Sequence, residues 1–499
     1  MTPTVNIGVL APVIWVACGS MVVLLGEVFL SRMGIHAGKP LTPARIGSVL
    51  GFFSVATLAI ALGTASAAFS SGVTESFNPA NPMFQLDPFS SFMMGVIALG
   101  ALLSCMLAIT YLEELRINHG EYYALVLLST SGMMMMVAAI DLLAVFLGLE
   151  LMSIPIYVLA GFDRGRLRSN ESAMKYFLIG AFASAVMLYG MALLYGASGS
   201  TSFDALRAGI DTGTPMATIG VGLVMVGFAF KISSVPFHQW TPDVYEGAPS
   251  AVTAFMSVTV KATAVGALLR FVGLGLGPLD EAMVEVLWLL AVLTIVVGNL
   301  MAVIQDNVKR MLAYSSIGHS GYIMVGLVAG TPDGYSAIVF YLVAYTFMNL
   351  GAFGVVVALA HHGQDCERIE SFAGLAQRRP TLAAMMTLFM VALAGIPPTV
   401  GFFAKFQIFT AAVNAGQISL AVIGVLISVV SVYYYLRIPV LMYMRDPGEE
   451  TPRMTIDSFE ALVLGICALA VVALGIWPND LGAIHISDWA QESVRVLFP

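Results

Sequence analysis

Apolar runs of about 20 residues alternate with short polar or Gly/Pro/Ser-rich breaks along almost the whole chain. A hydrocarbon core about 30 Å thick takes roughly 20 residues of helix to cross, so each run reads as a span. Cutting at the breaks predicts fourteen helices, at 8-30, 46-68, 89-111, 122-139, 142-161, 172-196, 217-238, 248-272, 283-304, 308-330, 335-360, 380-411, 418-443 and 457-477. The longest links are 69-88, 197-216 and 361-379, too short for a soluble catalytic module. Two polar stretches, RIESFAGLAQRR in the 361-379 link and the terminal DLGAIHISDWAQESVRVLFP, are expected to lie as amphipathic helices at the interface.

Composition agrees with that pattern. Hydrophobic residues make up 59% of the chain and charged residues 10%, with a mean hydropathy of +0.89; soluble domains carry about 25% charged residues. The expected class is an all-α polytopic membrane protein. The first residues, MTPTVNIGVLAPVIW, lack a basic region and a small-residue cleavage site, so the first run is expected to stay as a span. Cys18, Cys105, Cys366 and Cys467 are scattered, so neither a metal site nor a disulfide framework is expected. The net charge of -8 is dispersed over loops and helix ends and points to no nucleic-acid or other charged partner.

Basic residues set the orientation. With the N-terminus outside, inner loops and nearby helix ends hold fifteen of the 22 Lys and Arg residues, among them Lys39, Arg116, Lys309 and Arg453. The outer side holds Arg207, Arg270 and Arg495, and the remaining four are lysines within spans. The positive-inside rule then places both termini outside.

Helices four to eight and nine to thirteen each form a five-helix unit, and the odd number makes the second unit enter the membrane from the opposite side, as in an inverted repeat. The implied segments are 1-115 (three helices), 120-273, 280-446, and 455-499 (the last helix and tail). The fourth helix of each unit is broken by proline beside a lysine: FKISSVPFHQW holds Lys231 and Pro236, and LAGIPPTVGFFAKF holds Pro397, Pro398 and Lys405. The second helix of each unit carries a mid-span ionisable group, Glu150 in GLELMSIPIYVL and His319 in YSSIGHSGYI. Backbone freed by a proline is tolerated at membrane depth only where protein or a water-filled cavity satisfies it.

Charge at the bilayer centre costs at least about 2.5 kcal/mol, so Glu150, Lys231, Lys261, His319 and Lys405 are candidate proton-carrying residues. At 1.5 Å per residue, Glu150 sits about 12 Å into its span, and Lys231 and Lys261 about 20 Å. Unlike arginine, lysine can lose its proton when burial opposes its charge, which suits it to loading and releasing one. The plain alternative for the lysines and Glu150 is a buried structural ion pair, although one glutamate cannot neutralise three lysines. His319 also reads as a satisfied core histidine, and His238 equally as a capping or entry residue or as a proton carrier. Lys175 is expected to snorkel to the surface, and Glu27 and Asp141 to be solvated at span ends. Met133 to Met136 reads as flexible packing.

The segments ELMSIPIYVLAGF, ESAMKYFLIGAFAS, FKISSVPFHQWTPDVYEGAPSAVTAFMSVTVK, KRMLAYSSIGHSGY, GIPPTVGFFAKF and SVYYYLRIPVLMY resemble the antiporter-like membrane subunits of respiratory complex I, the proton-translocating NADH:quinone oxidoreductase. The resemblance covers essentially the whole chain. It points to the N-type branch, because Lys405 stands where M-type subunits typically have glutamate and no long C-terminal lateral helix of the L-type follows. It implies that Glu150 and Lys231 form a coupled pair, Lys261 bridges, His319 relays and Lys405 is terminal. It implies no cofactor in this chain, with NADH, FMN, iron-sulfur clusters and quinone in partner subunits. The implied partners are other complex I membrane subunits, including a neighbouring antiporter-like subunit, and the implied location is the bacterial inner membrane. A subunit of a multi-subunit cation/proton antiporter would share these helices and lysines. A solitary solute transporter is the third reading, and it is disfavoured because nothing besides protonatable groups lines the expected axis.

Overall fold

The computed structural model describes residues 5-36, 42-210, 214-360, 367-447, 456-478 and 485-498. Lys39, Cys366, Arg453 and residues 479-484 of the tail lie outside them. The helices are α1 (Ala11–His36), α2 (Pro43–Ser71), α3 (Pro88–Glu114), α4 (Gly120–Ala138), α5 (Leu142–Ala160), α6 (Leu167–Ser198), α7 (Phe203–Gly209), α8 (Pro215–Lys231), α9 (Trp240–Gly247) and α10 (Ser250–Arg270). They continue with α11 (Glu281–Val303), α12 (Val308–Ala329), α13 (Pro332–Ala358), α14 (Leu375–Arg378), α15 (Pro380–Ala394), α16 (Val400–Asn414), α17 (Ile418–Met444), α18 (Ser458–Ile476) and α19 (Ile486–Val494). Among the described residues strand structure is confined to one two-residue antiparallel pair, Glu75–Ser76 with Gln85–Leu86.

Local chemistry explains the boundaries. Thr42, Asp87, Asp141, Asn307, Thr331 and Asp457 cap helix N-termini with side-chain oxygens, and Pro43, Pro88 and Pro332 follow directly, where their missing N–H is not needed. Gly72, Gly199 and Gly330 end α2, α6 and α12 in the left-handed conformation.

Among the described residues eleven helices are long and apolar enough to cross a membrane. The other three expected spans differ for physical reasons. The seventh and twelfth are each two helices, α8 with α9 and α15 with α16, and α12 is a full 22 residues long but carries Lys309, Arg310, Ser315, Ser316, His319 and Ser320. The seventh runs past its expected end at 238, because α9 resumes at Trp240.

The centre of the fold is α10 packed on α13 and α3. Both α10 and α13 are buried on every face, so Lys261 sits on a helix without a lipid-facing side.

Several polar expectations need correction. Glu27 is not left to solvent: its Oε2 accepts the Gly120 N–H at 3.0 Å and satisfies the start of α4. Asp141 is buried, capping α5 through the Leu143 and Ala144 N–H groups and accepting the Thr201 hydroxyl at 2.6 Å. Arg270, expected at the outer end of its span, is fully buried and ion-paired to the equally buried Asp87. The segment RIESFAGLAQRR is no continuous helix, because Gly374 at φ +66° separates the turn Ile369–Phe372 from α14. In the tail, α19 forms as expected but packs on α3 and α13.

Candidate functional site

Lys231 is the last residue of α8, and the chain then runs irregularly to Trp240 before α9 begins. The carbonyls and amides freed there are satisfied by side chains, as membrane depth requires. Trp240 Nε1–H donates to the Phe230 carbonyl at 3.0 Å, Thr294 Oγ1 on α11 accepts the Val235 N–H at 3.0 Å, and the Ser320 hydroxyl on α12 donates to the Ile232 carbonyl. Two of these three partners lie on α11 and α12, so the break after α8 is held by helices further along the chain.

The second break, between α15 and α16, is organised around the same kind of helix end. Lys405, from α16, reaches back and donates to the carbonyl of Ala394, the final residue of α15, at 2.8 Å. Lys231 is itself the last residue of α8, and the Lys405 ammonium lies at the C-terminus of α15, where the helix dipole favours positive charge. Gly395, at φ +84°, makes the reach possible: a Cβ there would lie 2.8 Å from Lys405 Cδ and 3.1 Å from Nζ.

Around Lys231, the ammonium donates to Ser153 Oγ at 2.7 Å and lies 5.5 Å from the ring centres of Tyr157 and Tyr176. Glu150, Ser153 and Tyr157 are spaced i, i+3, i+7 on α5 and share one face. Glu150 is half-buried, and its Oε1 has no hydrogen-bond partner among the described residues. The structure thus puts Glu150 one turn from the lysine's acceptor but not in contact with the lysine.

Lys261 donates to Ser316 Oγ at 2.6 Å and to the Ser316 carbonyl, with the Tyr345 ring centre 4.9 Å away. Ser320, one turn further along α12, also donates to the Ser316 carbonyl at 3.2 Å. Ser316 and Ser320 therefore join the Lys261 site to the break behind Lys231. His319 lies between the next two sites: its ring centre is 5.0 Å from that of Tyr345, beside Lys261, and 5.9 Å from that of Tyr322. The Tyr322 ring in turn lies 5.0 Å from Lys405 Nζ. His319 Nδ1 is 2.5 Å from the Tyr341 hydroxyl and Nε2 is 3.0 Å from that of Tyr435.

Lys231, Lys261, His319 and Lys405 are each at most 5% exposed. Among the described residues no carboxylate comes within 4.0 Å of the three ammonium groups, which removes the structural ion pair as their explanation. Burying a charge without a counter-ion is costly, so three such lysines in one core are suited to existing in both protonation states.

Lys175 differs. It donates to Asp243 at 2.9 Å and pairs with Glu171 at 2.6 Å, at the end of the bundle where Arg310 bonds Asp243 at 2.7 Å and Glu246 at 2.9 Å. Its half-exposed head fits the snorkelling expectation. His238 lies in the break, half-buried, with Nδ1 unpartnered among the described residues.

Ser153, Ser315, Ser316, Ser320, Tyr341, Tyr345 and Tyr435 were not singled out from the sequence. Their signal was the density of hydroxyls within otherwise apolar spans, as in YSSIGHS and VYYYL. No group of three or more His, Cys, Asp or Glu side chains with metal-binding geometry occurs among the described residues.

Known proteins resemble this chain along its length. The family model described as NADH:quinone oxidoreductase/Mrp antiporter, TM, matches residues 139-431, which includes both breaks and Glu150, Lys231, Lys261, His319 and Lys405. The NADH-quinone oxidoreductase subunit N of Trichlorobacter lovleyi is 43% identical over 99% of this chain and 98% of its own. A chain of respiratory complex I from Thermus thermophilus superposes with a TM-score of 0.77 at 33% identity, covering 93% of this chain and 98% of that one. A chain of the membrane-bound sulfane sulfur reductase, an archaeal respiratory membrane complex, gives 0.83 at 26% identity over 97% of both. With two proline-broken helices, a buried lysine at each break and full-length relatives of the same architecture, the chain belongs to the NADH:quinone oxidoreductase/Mrp antiporter transmembrane family.

Proposed function

We propose that this chain is a proton-translocating membrane subunit of an NADH:quinone oxidoreductase, and that Glu150, Lys231, Lys261, His319 and Lys405 carry the proton. The observation that bears the reading is the set of three buried lysines held only by neutral oxygens and rings, linked through α12 from one broken helix to the other. A proton enters by way of Glu150 and Lys231, crosses through Lys261 and His319, and leaves from Lys405. The units 120-273 and 280-446 then act as two half-channels that meet along α10 and α12, flanked by segments 1-115 and 455-499.

Moving one charge against 100 mV costs about 2.3 kcal/mol, which this chain must receive from elsewhere. NADH, FMN, iron-sulfur clusters and quinone belong to partner subunits, and an adjoining antiporter-like subunit passes on the driving force. Charge redistribution at that neighbour changes the coupling between Glu150 and Lys231, and Ser153 is the group through which the lysine feels it. The basic end of the bundle, where Arg166, Lys175, Lys309 and Arg310 cluster, faces the cytoplasm of a bacterial cell, which puts both termini on the periplasmic side.

The decisive experiment is Lys231→Ala in the assembled complex, with NADH-driven proton uptake measured in inverted vesicles. A strong loss with the complex intact supports the reading, and unchanged pumping overturns it. The family description also embraces Mrp antiporters. Purification of the chain with sodium-dependent proton exchange and no NADH:quinone reductase activity would establish that function instead.

A further inference from the structure

Between α8 and α11 a crevice of about 400 Å³ runs down the flank of the bundle, backed by α10 and α12. Met225, Phe228, Met283, Leu287, Met324 and Leu327 make its walls apolar. Among the described residues the polar side chains that line it are Thr218 and Asp280, both at the start of their helices and so at one end. The other end closes on Ile232, Pro236 and Phe237, the irregular segment that follows Lys231. Gly222, on α8, keeps the crevice open, since a Cβ built there would meet no atom within 4 Å. Ile219, Val286 and Leu289 beside it are each more than half exposed, so its mouth faces sideways into the bilayer.

Water is a poor occupant, because an ordered water needs roughly two to four polar partners and the walls between the two ends offer no polar side chain. A void is no better, since its lining atoms forfeit their dispersion contacts. Hydrocarbon is what a bilayer supplies at this depth. The length fits one leaflet: Thr218 and Ile232 lie about 21 Å apart along α8, and half a bilayer, headgroups included, is about 20 to 22 Å thick. The polar end fits a headgroup. Arg207, exposed on α7, lies against Gly277, with Nε 3.4 Å from where a Cβ would stand, and Gly277 is three residues before Asp280. Asp280 is exposed and caps α11, its Oδ1 accepting the Met283 N–H at 2.8 Å. A guanidinium and a carboxylate at that end match the phosphate and the ammonium of an aminophospholipid.

We propose that this crevice binds one aminophospholipid of the leaflet remote from Lys175 and Arg310, with its headgroup at Arg207 and Asp280 and one acyl tail laid along α8 down to Pro236. The tail completes the lipid-side wall of the first break. Irregular backbone at membrane depth has to be shielded, and here the shield on one side is a lipid tail packed on Ile232, Pro236 and Phe237. The site stands apart from the proton-carrying residues, and its existence does not depend on the order in which they transfer.

The test places the purified complex in liposomes containing phosphatidylethanolamine with a photoactivatable diazirine at the end of one tail or, in a second sample, beside the ester. Adducts are mapped by peptide mass spectrometry after illumination. The tail-end probe is expected to mark residues 232-237 and the ester probe residues 280-283. A tail-end phosphatidylglycerol probe, which lacks the ammonium, should mark 232-237 about two- to fivefold less, the scale of one exposed ion pair. Gly222→Trp, whose indole fills the crevice, should lose the adducts at 232-237 and keep those on exposed Val429 of α17. Absence of adducts at 232-237 in the wild-type complex overturns the proposal, as does the reverse order of the two probes. Equal marking by phosphatidylglycerol, or unchanged marking in Gly222→Trp, overturns it too. If Gly222→Trp fails to assemble, the order of the two probes and the headgroup comparison on the wild-type complex decide.

Discussion

Lys231 donates its hydrogen bond to Ser153, at 2.7 Å, and not to Glu150, one turn away on the same face of α5. The serine hydroxyl in turn donates to the Leu149 carbonyl at 2.5 Å, so it is fixed in orientation and offers the ammonium a neutral acceptor. A direct carboxylate contact would hold the proton on the lysine; a hydroxyl beside a carboxylate holds it less firmly. In the proposed relay, this is the route by which changes around Glu150 reach Lys231.

Ser153→Ala should expose this dependence. A hydrogen bond to a charged group is worth about 1.5 to 3 kcal/mol, which corresponds to a tenfold or larger effect on a protonation equilibrium. NADH-driven pumping is expected to fall by about that factor with the complex intact. In a Lys231→Ala background the same change should add nothing, because its effect runs through the lysine.

Gly395→Ala tests the second break without touching an ionisable group. The added methyl would stand 2.8 Å from Lys405 Cδ, at a φ of +84° that side chains rarely adopt. Lys405 would lose its place at the Ala394 carbonyl, so the variant should approach the pumping defect of Lys405→Ala. Wild-type pumping would show that the lysine does not depend on that seat.

Asp87 and Arg270 should prove structural. Both are fully buried and ion-paired, and Arg270 also donates to the Val137 carbonyl at 3.2 Å, which ties the end of α10 to α3 and α4. Removing one member of a buried pair costs about 3 to 5 kcal/mol, whereas replacing both by apolar groups can be neutral. Arg270→Met is expected to lower the unfolding temperature of the purified complex, and Asp87→Leu with Arg270→Met to recover part of the loss. A single variant with unchanged stability would contradict the assignment.

The sequence was a good guide where physical chemistry is local. Apolar runs bounded by caps and glycines gave spans close to the observed helices, and a lysine beside a proline at membrane depth identified both breaks. It was a poor guide where a polar side chain finds its partner far along the chain. Glu27 and Asp141 read as solvated because the amides and hydroxyl they serve, at Gly120 and Thr201, are distant or belong to another helix's start. Arg270 read as an outer-side charge at a span end because Asp87 is 183 positions away. The hydroxyls that join the lysines were hidden for a related reason: a serine or tyrosine in an apolar helix is unremarkable until a second helix brings a charged group to it.

In the proposed relay the two broken helices work as one path, joined at Lys261 through Ser316. The most direct test is NADH-driven proton translocation by the reconstituted complex carrying Lys261→Ala, with assembly verified separately. A fall of at least about tenfold is expected while Lys231 and Lys405 remain in place. Pumping at the wild-type rate would mean that the proton crosses without this lysine, and that the two halves do not share a path through the centre of the fold.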